Sequence, residues 1–237
     1  MEVRSVELQL DTCIHWLEIA VDRLDEAHTA SVGSGNREFG EALDREFKAA
    51  MQATVAAATF FEALYAATID RDPPPRPKPT GNPKKRRTRY MVVAEQLRRS
   101  FGLRKQGTTN LRSVLKEVYR FRDQAVHPGA SFSEPIMHPQ FHVGVENRFV
   151  MFSAPNAHLL VRAALAFSRI LPSRDLSRRP KGIQEFGAYL LEVSKPLCAR
   201  WEQEYGPLLE EPAVQPSEAV SPADDGGSSM LSEPEET

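Results

Sequence analysis

The amino-acid sequence predicts an all-α fold: a helical bundle with one small β-hairpin and a disordered acidic C-terminal tail. Over most of residues 1–205, apolar side chains recur at the three- and four-residue steps of amphipathic helices. One short stretch, within residues 140–152, alternates apolar and polar side chains as a hairpin does. Residues 206–237 are rich in Pro, Ser and Glu, and they have too few apolar side chains to offset the entropy of ordering the chain.

The expected helices follow one another along the chain. The first carries an apolar stripe, and the second is so rich in Ala, Phe and Leu that we expect it at the centre of the bundle. Pro196 lies inside the last helix and predicts a kink there. The predicted spans are residues 2–30, 37–69, 88–101, 111–126, 156–170 and 183–205.

Two segments interrupt this series of helices. Residues 70–83 contain a run of prolines, which fix φ and remove backbone donors, so a stiff, basic surface connector is expected. Residues 141–145 and 148–152 alternate on either side of Glu146 and Asn147. That pattern predicts the two strands and the tight turn of the hairpin.

Length and composition narrow the class of protein further. The chain has 237 residues, 41% of them hydrophobic and 26% charged, which suits one globular domain with an unfolded flank. No apolar run approaches the roughly 18 residues that a membrane span needs, and the first residues do not form a secretory signal. Cys13 and Cys198 are too few for a disulfide scaffold. We therefore expect a cytoplasmic protein with two reduced, buried thiols and no membrane partner.

The net charge of −2 conceals a strong asymmetry. Residues 70–105 contain twelve Lys and Arg against three acids, whereas residues 202–237 contain ten acids and no base. This distribution suits a protein that holds nucleic acid with one basic strap and an acidic tail that competes for it. The candidate nucleic-acid-binding residues are Lys84, Lys85, Arg86, Arg87 and Arg89. A solvated loop and a solubilising tail would have the same charges.

Most common enzyme signatures are absent from the sequence. It has no glycine-rich phosphate loop, no serine nucleophile elbow and no His-Glu-x-x-His metal helix. His127, His138 and His142 lie close together in the chain, but no carboxylate or cysteine stands at ligand spacing beside them. We therefore expect neither a metal nor a cofactor.

One segment at the end of an expected helix carries a distinctive pair of groups. Within residues 119–128, Arg122 is followed at once by Asp123 and five residues later by His127. This pattern resembles the arginine–histidine signature of HEPN domains. HEPN proteins are all-helical, and many are dimeric ribonucleases of toxin–antitoxin and phage-defence systems. The resemblance covers about residues 8–171, and it implies a HEPN-like bundle with this arginine, aspartate and histidine in the active site.

The context of Arg122 supports this resemblance better than the spacing does. Arg23 with His28, and Arg120 with the same histidine, also satisfy the spacing. However, Arg23 is followed by leucine, whereas HEPN proteins usually carry Asn, Asp or His at that position. The apolar, glutamate-bearing helix at residues 59–65 is also similar to a helix of several HEPN lineages.

The chemistry of the pair follows from its geometry. With 3.6 residues per turn, Arg122 and His127 lie on adjacent helix faces, so a distorted helix end or a second copy must bring both to one phosphate. A histidine can transfer protons near neutral pH while a guanidinium holds the non-bridging oxygens, and Asp123 could orient either group. The resemblance implies a metal-independent endoribonuclease that acts on RNA, forms a homodimer and has an antitoxin protein as partner.

Other interpretations of the same residues stay open. Arg122 could make a surface ion pair, and His127 could stabilise the helix C-terminus through the helix dipole. The protein would then be a non-catalytic HEPN-like interaction or nucleotide-sensing module. A third interpretation is a basic nucleic-acid-binding adaptor, in which the resemblance is coincidental.

Overall fold

Seven α-helices and one two-stranded antiparallel ribbon form the described part of the chain, which confirms the all-α prediction. The computed structural model describes residues 12–32, 39–75, 88–127, 129 and 133–209. The elements in order are α1 (Thr12–Val32), α2 (Phe39–Arg71), α3 (Arg89–Phe101), α4 (Lys105–Val126), β1 (Ile136–Met137), β2 (Gly144–Val145), α5 (Asn147–Met151), α6 (Ala154–Ile170) and α7 (Lys181–Tyr205). None of these helices is long and apolar enough to cross a bilayer.

Helix α2 lies at the centre of the bundle, as its composition predicts. It contacts α1, α3, α4, α6 and α7. Phe60, Phe61 and Leu64 are fully buried, and the ring of Phe61 lies 6.2 Å from that of Phe167 in α6. Along α2 and α6, the one large apolar side chain left exposed is Leu159. The homodimer stays a prediction.

Helix α4 begins earlier than the sequence predicted, at Lys105 rather than Leu111. Gly102, with φ of 66°, ends α3 in the left-handed conformation, and its backbone N–H donates to the carbonyl of Arg98. Glycine adopts this conformation without the steric cost of a Cβ. The chain therefore reverses within three residues and α4 starts at once, although its first turns contain the weak helix formers Gly, Thr and Asn.

The hairpin exists, and its second strand, β2, lies within the predicted first strand, but its partner β1 precedes the predicted hairpin. Ile136 pairs with Val145 and Met137 with Gly144, whereas residues 148–152, the predicted second strand, lie mostly in α5. The cause is Glu146, which caps a helix instead of forming a turn. Its carboxylate accepts a hydrogen bond from the backbone N–H of Arg148 at 3.1 Å.

Packing contacts continue beyond the end of α7. The packed chain continues to residue 209, because Leu208 is buried and the carbonyls of Pro207 and Leu208 accept hydrogen bonds from Arg162 at 3.4 and 3.3 Å. Cys13 and Cys198 are buried, as predicted. The predictions for residues 2–11, for residues 76–83 of the connector and for residues 210–237 of the tail lie outside the described residues.

Candidate functional site

Arg122 and Asp123 lie exposed in the last turn and a half of α4. Nη1 of Arg122 donates to Oδ1 of Asp123 at 2.9 Å, with the two side chains 44% and 60% exposed. An exposed ion pair of this kind contributes at most about 1 kcal/mol. The guanidinium is therefore available to an incoming phosphate, which can compete with the carboxylate.

His127 stands where α4 ends. Its backbone N–H still donates to the carbonyl of Asp123 at 2.8 Å, but its φ of −128° and ψ of 62° have left the helical region. The helix therefore ends at the histidine. The side chain is exposed. Within the described residues, no hydrogen bond joins its ring to Arg122 or Asp123, so the structure gathers the three residues at one helix end without linking the histidine to the other two.

A hydrogen-bonded cluster joins α2, α3 and α4 beside Arg122. Glu62 of α2 accepts hydrogen bonds from Arg89 of α3, with Nε at 3.0 Å, and from the hydroxyl of Tyr119 of α4 at 2.6 Å. The guanidinium of Arg89 also stacks 4.3 Å above the ring of Tyr65. The cluster lies one helical turn before Arg122 and attaches this part of α4 to the central helix.

Charges in this cluster reinforce one another. Burial alone would raise the pKa of Glu62, but the hydrogen bonds from Arg89 and Tyr119, together with the charges of Arg89 and Arg122, lower it below its ordinary value. Burial and the Glu62 carboxylate raise the pKa of Tyr119. Glu62 is therefore a carboxylate and Tyr119 a neutral phenol at pH 7. A fixed negative charge lies within electrostatic range of Arg122.

Of the five predicted strap residues, the structure describes Arg89. Arg89 is engaged by Glu62 and Tyr65, which gives it a structural partner in addition to any ligand. Lys84, Lys85, Arg86 and Arg87 lie outside the described residues.

The arginines of the alternative pairs have ion-pair partners of their own. Arg23 is paired with Glu26 of its own helix, while the ring of His28 lies 5.3 Å from that of Tyr205. Arg120 is paired with Glu117 at 2.8 Å. Arg23 and His28 thus belong to different environments, which leaves the end of α4 as the best candidate site.

The histidines after α4 are not arranged as metal ligands. Across the ranges that the structure describes, no group of three or more His, Cys, Asp or Glu side chains could hold a metal ion. His142 is exposed with φ of 53°, and His138 is fully buried.

His138 instead faces a buried carboxyl group that the sequence analysis missed. Its Nε2 lies 3.6 Å from Oε2 of Glu46, which is also fully buried. Oε1 of Glu46 accepts the backbone N–H of Ala154 at 2.7 Å, at the start of α6. Burial raises the pKa of Glu46 to about 7 and lowers that of His138. The signal in the sequence was an acid at an apolar position, four residues after Ala42 and three before Ala49.

Comparison of the chain with protein-family models, with curated proteins and with solved structures found no match.

Proposed function

We propose that the protein is a HEPN-like, metal-independent endoribonuclease with Arg122, Asp123 and His127 in its active site. One observation carries the proposal: an arginine and a histidine are both exposed at the same end of α4, and the histidine is the residue at which the helix ends. The resemblance of this segment to HEPN ribonucleases adds the reaction class and the toxin–antitoxin or phage-defence setting.

The reaction needs no group beyond the RNA and these side chains. His127 removes the proton of a ribose 2′-hydroxyl, whose oxygen attacks the adjacent phosphorus while the bond to the 5′ oxygen breaks. The same proton can then return to the departing 5′ oxygen. Arg122 holds the non-bridging oxygens, on which charge accumulates in the transition state. The products are a 2′,3′-cyclic phosphate and a 5′-hydroxyl end.

Neighbouring carboxylates position the arginine. Asp123 holds the guanidinium of Arg122 at 2.9 Å until a phosphate replaces it. Glu62 attracts Arg122 without a direct hydrogen bond to it, since its oxygens already accept from Arg89 and Tyr119. Among the described residues, the Arg122 side chain donates to Asp123 alone, so further N–H donors can bind the phosphate. In this proposal RNA is the substrate, a second copy completes a homodimer, and an antitoxin protein restrains the activity.

The test is cleavage of single-stranded RNA in excess chelator. We expect 2′,3′-cyclic phosphate ends, no cleavage of DNA, which lacks the attacking hydroxyl, and a loss of about 10²–10⁴-fold in rate for His127→Ala. Arg122→Ala should lose a similar factor because it removes the stabilisation of the phosphate charge.

Two exposed residues of the same types serve as matched controls. Arg120→Ala removes a guanidinium two residues away that is paired with Glu117, and His15→Ala removes an imidazole that is paired with Glu18 on α1. Both should cleave as the wild type does, and all variants should keep the wild-type melting temperature. Equal cleavage by every variant would assign the activity to a contaminant. A folded wild type that leaves all RNA intact would favour the non-catalytic module.

A further inference from the structure

The solvent-facing side of α4 carries a row of basic side chains. They follow one another at steps of seven or four residues, which bring residues of a helix onto one face. We call this row the α4 stripe, and all its members are exposed: Lys105, Arg112, Lys116 and Arg120. With a rise of 1.5 Å per residue, the stripe extends for about 22 Å along the helix.

The two lysines of the α4 stripe are not neutralised by neighbouring acids. Residues 88–127, which contain α3 and α4, include three acidic side chains, and each is held by an arginine. These pairs are Arg98 with Glu95, Arg120 with Glu117, and Arg122 with Asp123. Among the described residues, Lys105 and Lys116 have no ion-pair partner. The stripe therefore offers two free ammonium groups to a ligand.

Charge is divided unevenly among the helices of the bundle. Residues 88–127 contain nine Lys and Arg against three acids. Residues 12–32 and 39–75, which contain α1 and α2, have four Lys and Arg against ten acids. The α4 stripe thus belongs to the most basic part of the described chain. A surface with one sign of charge raises the local concentration of a polyanion and speeds its association.

The α4 stripe lies on the same helix face as His127. This face continues from Arg120 through Asp123 to the histidine at steps of three and four residues. Asp123 is the one acid on the face, and it is held by Arg122. A polyanion that lies along the stripe therefore reaches an exposed imidazole at the end of α4. This position favours RNA over an acidic protein, because RNA carries the phosphodiester bonds that a histidine beside an arginine can cleave.

We propose that the α4 stripe binds the phosphate backbone of an RNA strand and directs that strand to His127. This inference rests on the proposed ribonuclease function, because it names the surface that holds the same substrate. The lysines bind phosphates without losing a partner. Arg112 and Arg120 exchange exposed, weak ion pairs for a phosphate. Contacts to the backbone carry no sequence information, so the stripe contributes affinity rather than specificity.

The test removes the two unpaired lysines, with Lys105→Gln and Lys116→Gln in one chain, and measures RNA binding. The assay is fluorescence anisotropy over a range of salt concentrations with a single-stranded 2′-O-methyl RNA, which cannot be cleaved through its 2′ position. Each lost phosphate contact should reduce the slope of log affinity against log salt by about 0.7. The double variant should therefore lose about 1.4 from this slope, and its affinity at low salt should fall about tenfold for each lysine.

Two lysines of α7 provide the matched control. Lys181→Gln with Lys195→Gln makes the same change in net charge, but these lysines are paired with glutamates on another helix. This variant should keep the wild-type affinity and slope, and so should an α4 variant in which both stripe lysines are replaced by arginine. All the changed side chains are exposed, so every variant should keep the wild-type melting temperature. Wild-type binding by the α4 glutamine variant, or equal losses in the α4 and α7 glutamine variants, would overturn the inference.

An acidic polypeptide is the other polyanion that fits a basic helix face. Poly-glutamate with the same number of charges as the RNA should bind more weakly than the RNA. Equal or tighter binding of poly-glutamate that depends on Lys105 and Lys116 would assign the α4 stripe to an acidic protein and overturn the assignment to RNA.

The same measurements separate the inference from the proposed function. If His127→Ala abolishes cleavage while the α4 glutamine variant binds RNA normally, the ribonuclease proposal stands and the assignment of the α4 stripe is wrong. If no RNA is cleaved but binding depends on Lys105 and Lys116, the stripe assignment stands and the catalytic proposal is wrong. A wild type that does not bind single-stranded RNA overturns the stripe assignment.

Discussion

The buried pair Glu46 and His138 leads to a specific prediction about stability and pH. Both side chains are fully buried, with Oε2 and Nε2 3.6 Å apart, which is longer than a hydrogen bond. Nδ1 of His138 faces the backbone N–H groups of Gln140 and Phe141, each at 3.4 Å. In the neutral ring the proton is therefore on Nε2, the nitrogen nearer to Glu46, and the backbone of Phe149 also lies beside the ring. We change each partner separately, with Glu46→Gln and His138→Gln.

The expected magnitude follows from proton binding by the folded and unfolded chains. Between about pH 4.5 and 6.5, the unfolded pair binds one proton, on the histidine. The folded pair also binds one, on Glu46, because burial raises its pKa to about 7 and lowers that of His138. Equal proton numbers give no slope of stability against pH. The pair should therefore add almost no pH dependence to the wild type in this range.

In each single variant, the pH dependence of stability that comes from the remaining residue is no longer cancelled by its partner. In His138→Gln, the raised pKa of Glu46 contributes stability that is full below pH 4.5 and is lost as the pH rises to about 7. The loss is about 3 kcal/mol, at about 1.4 kcal/mol for each tenfold change in proton affinity. In Glu46→Gln, His138 binds a proton more readily in the unfolded chain than in the folded chain, because burial lowers its pKa. Stability then falls as the pH drops below 6.5.

The assay is urea unfolding at constant ionic strength from pH 4.5 to 8, followed by tryptophan fluorescence. Trp201 is fully buried and reports the loss of tertiary structure. Glu41→Gln is the control, since it makes the same substitution at an exposed position of the same helix. The reasoning is refuted if the free-energy difference between His138→Gln and the wild type stays constant across this range, within about 0.5 kcal/mol.

Two further predictions concern assembly and the turn after α3. Light scattering should give about twice the 26.5 kDa chain mass, as a site shared between copies requires, and a monomer at micromolar concentration would contradict the homodimer. Gly102→Ala should lower stability by about 1–2 kcal/mol, because Gly102 has φ of 66° and an added Cβ would collide with Arg179. Gly107→Ala, inside α4, should instead raise stability by about 0.5–1 kcal/mol. Urea unfolding of both variants measures these changes. A wild-type free energy of unfolding for Gly102→Ala would show that the left-handed conformation at this position carries no strain for alanine.

The parts of the fold that the sequence predicted well are those set by composition over many residues. The length and apolar character of α2 identify it as the central helix, because no single face could account for so many buried Ala and Phe side chains. The errors came from single residues at element ends. Gly102 allows α4 to begin six residues before Leu111, and Glu146 starts a helix where a turn was expected. The hydrogen bond from the backbone N–H of Arg148 to the Glu146 carboxylate favours a helix, and it outweighs the strand-like alternation of the next four or five residues.

For the candidate site, the sequence predicted the residues at the end of α4 but not the contacts that hold this part of the chain against α2. Arg122, Asp123 and His127 are neighbours in the chain, so their common position follows from one helix. The contact of Glu62 with Tyr119 joins residues 57 positions apart, and that of Glu46 with His138 joins α2 to the segment between β1 and β2. Such contacts depend on which helix faces pack together, and the apolar periodicity of one helix does not determine its neighbour.

Helix α2 supports the candidate site on both sides. Before the site, Tyr119 is bound to Glu62; after it, His138 lies against Glu46, sixteen residues earlier in α2. At 1.5 Å per residue these two attachment points are about 24 Å apart on one continuous helix. The chain from Tyr119 to His138 therefore starts and ends on the same rigid element. The position of His127 within that chain thus depends on the packing of α2 as well as on the local sequence.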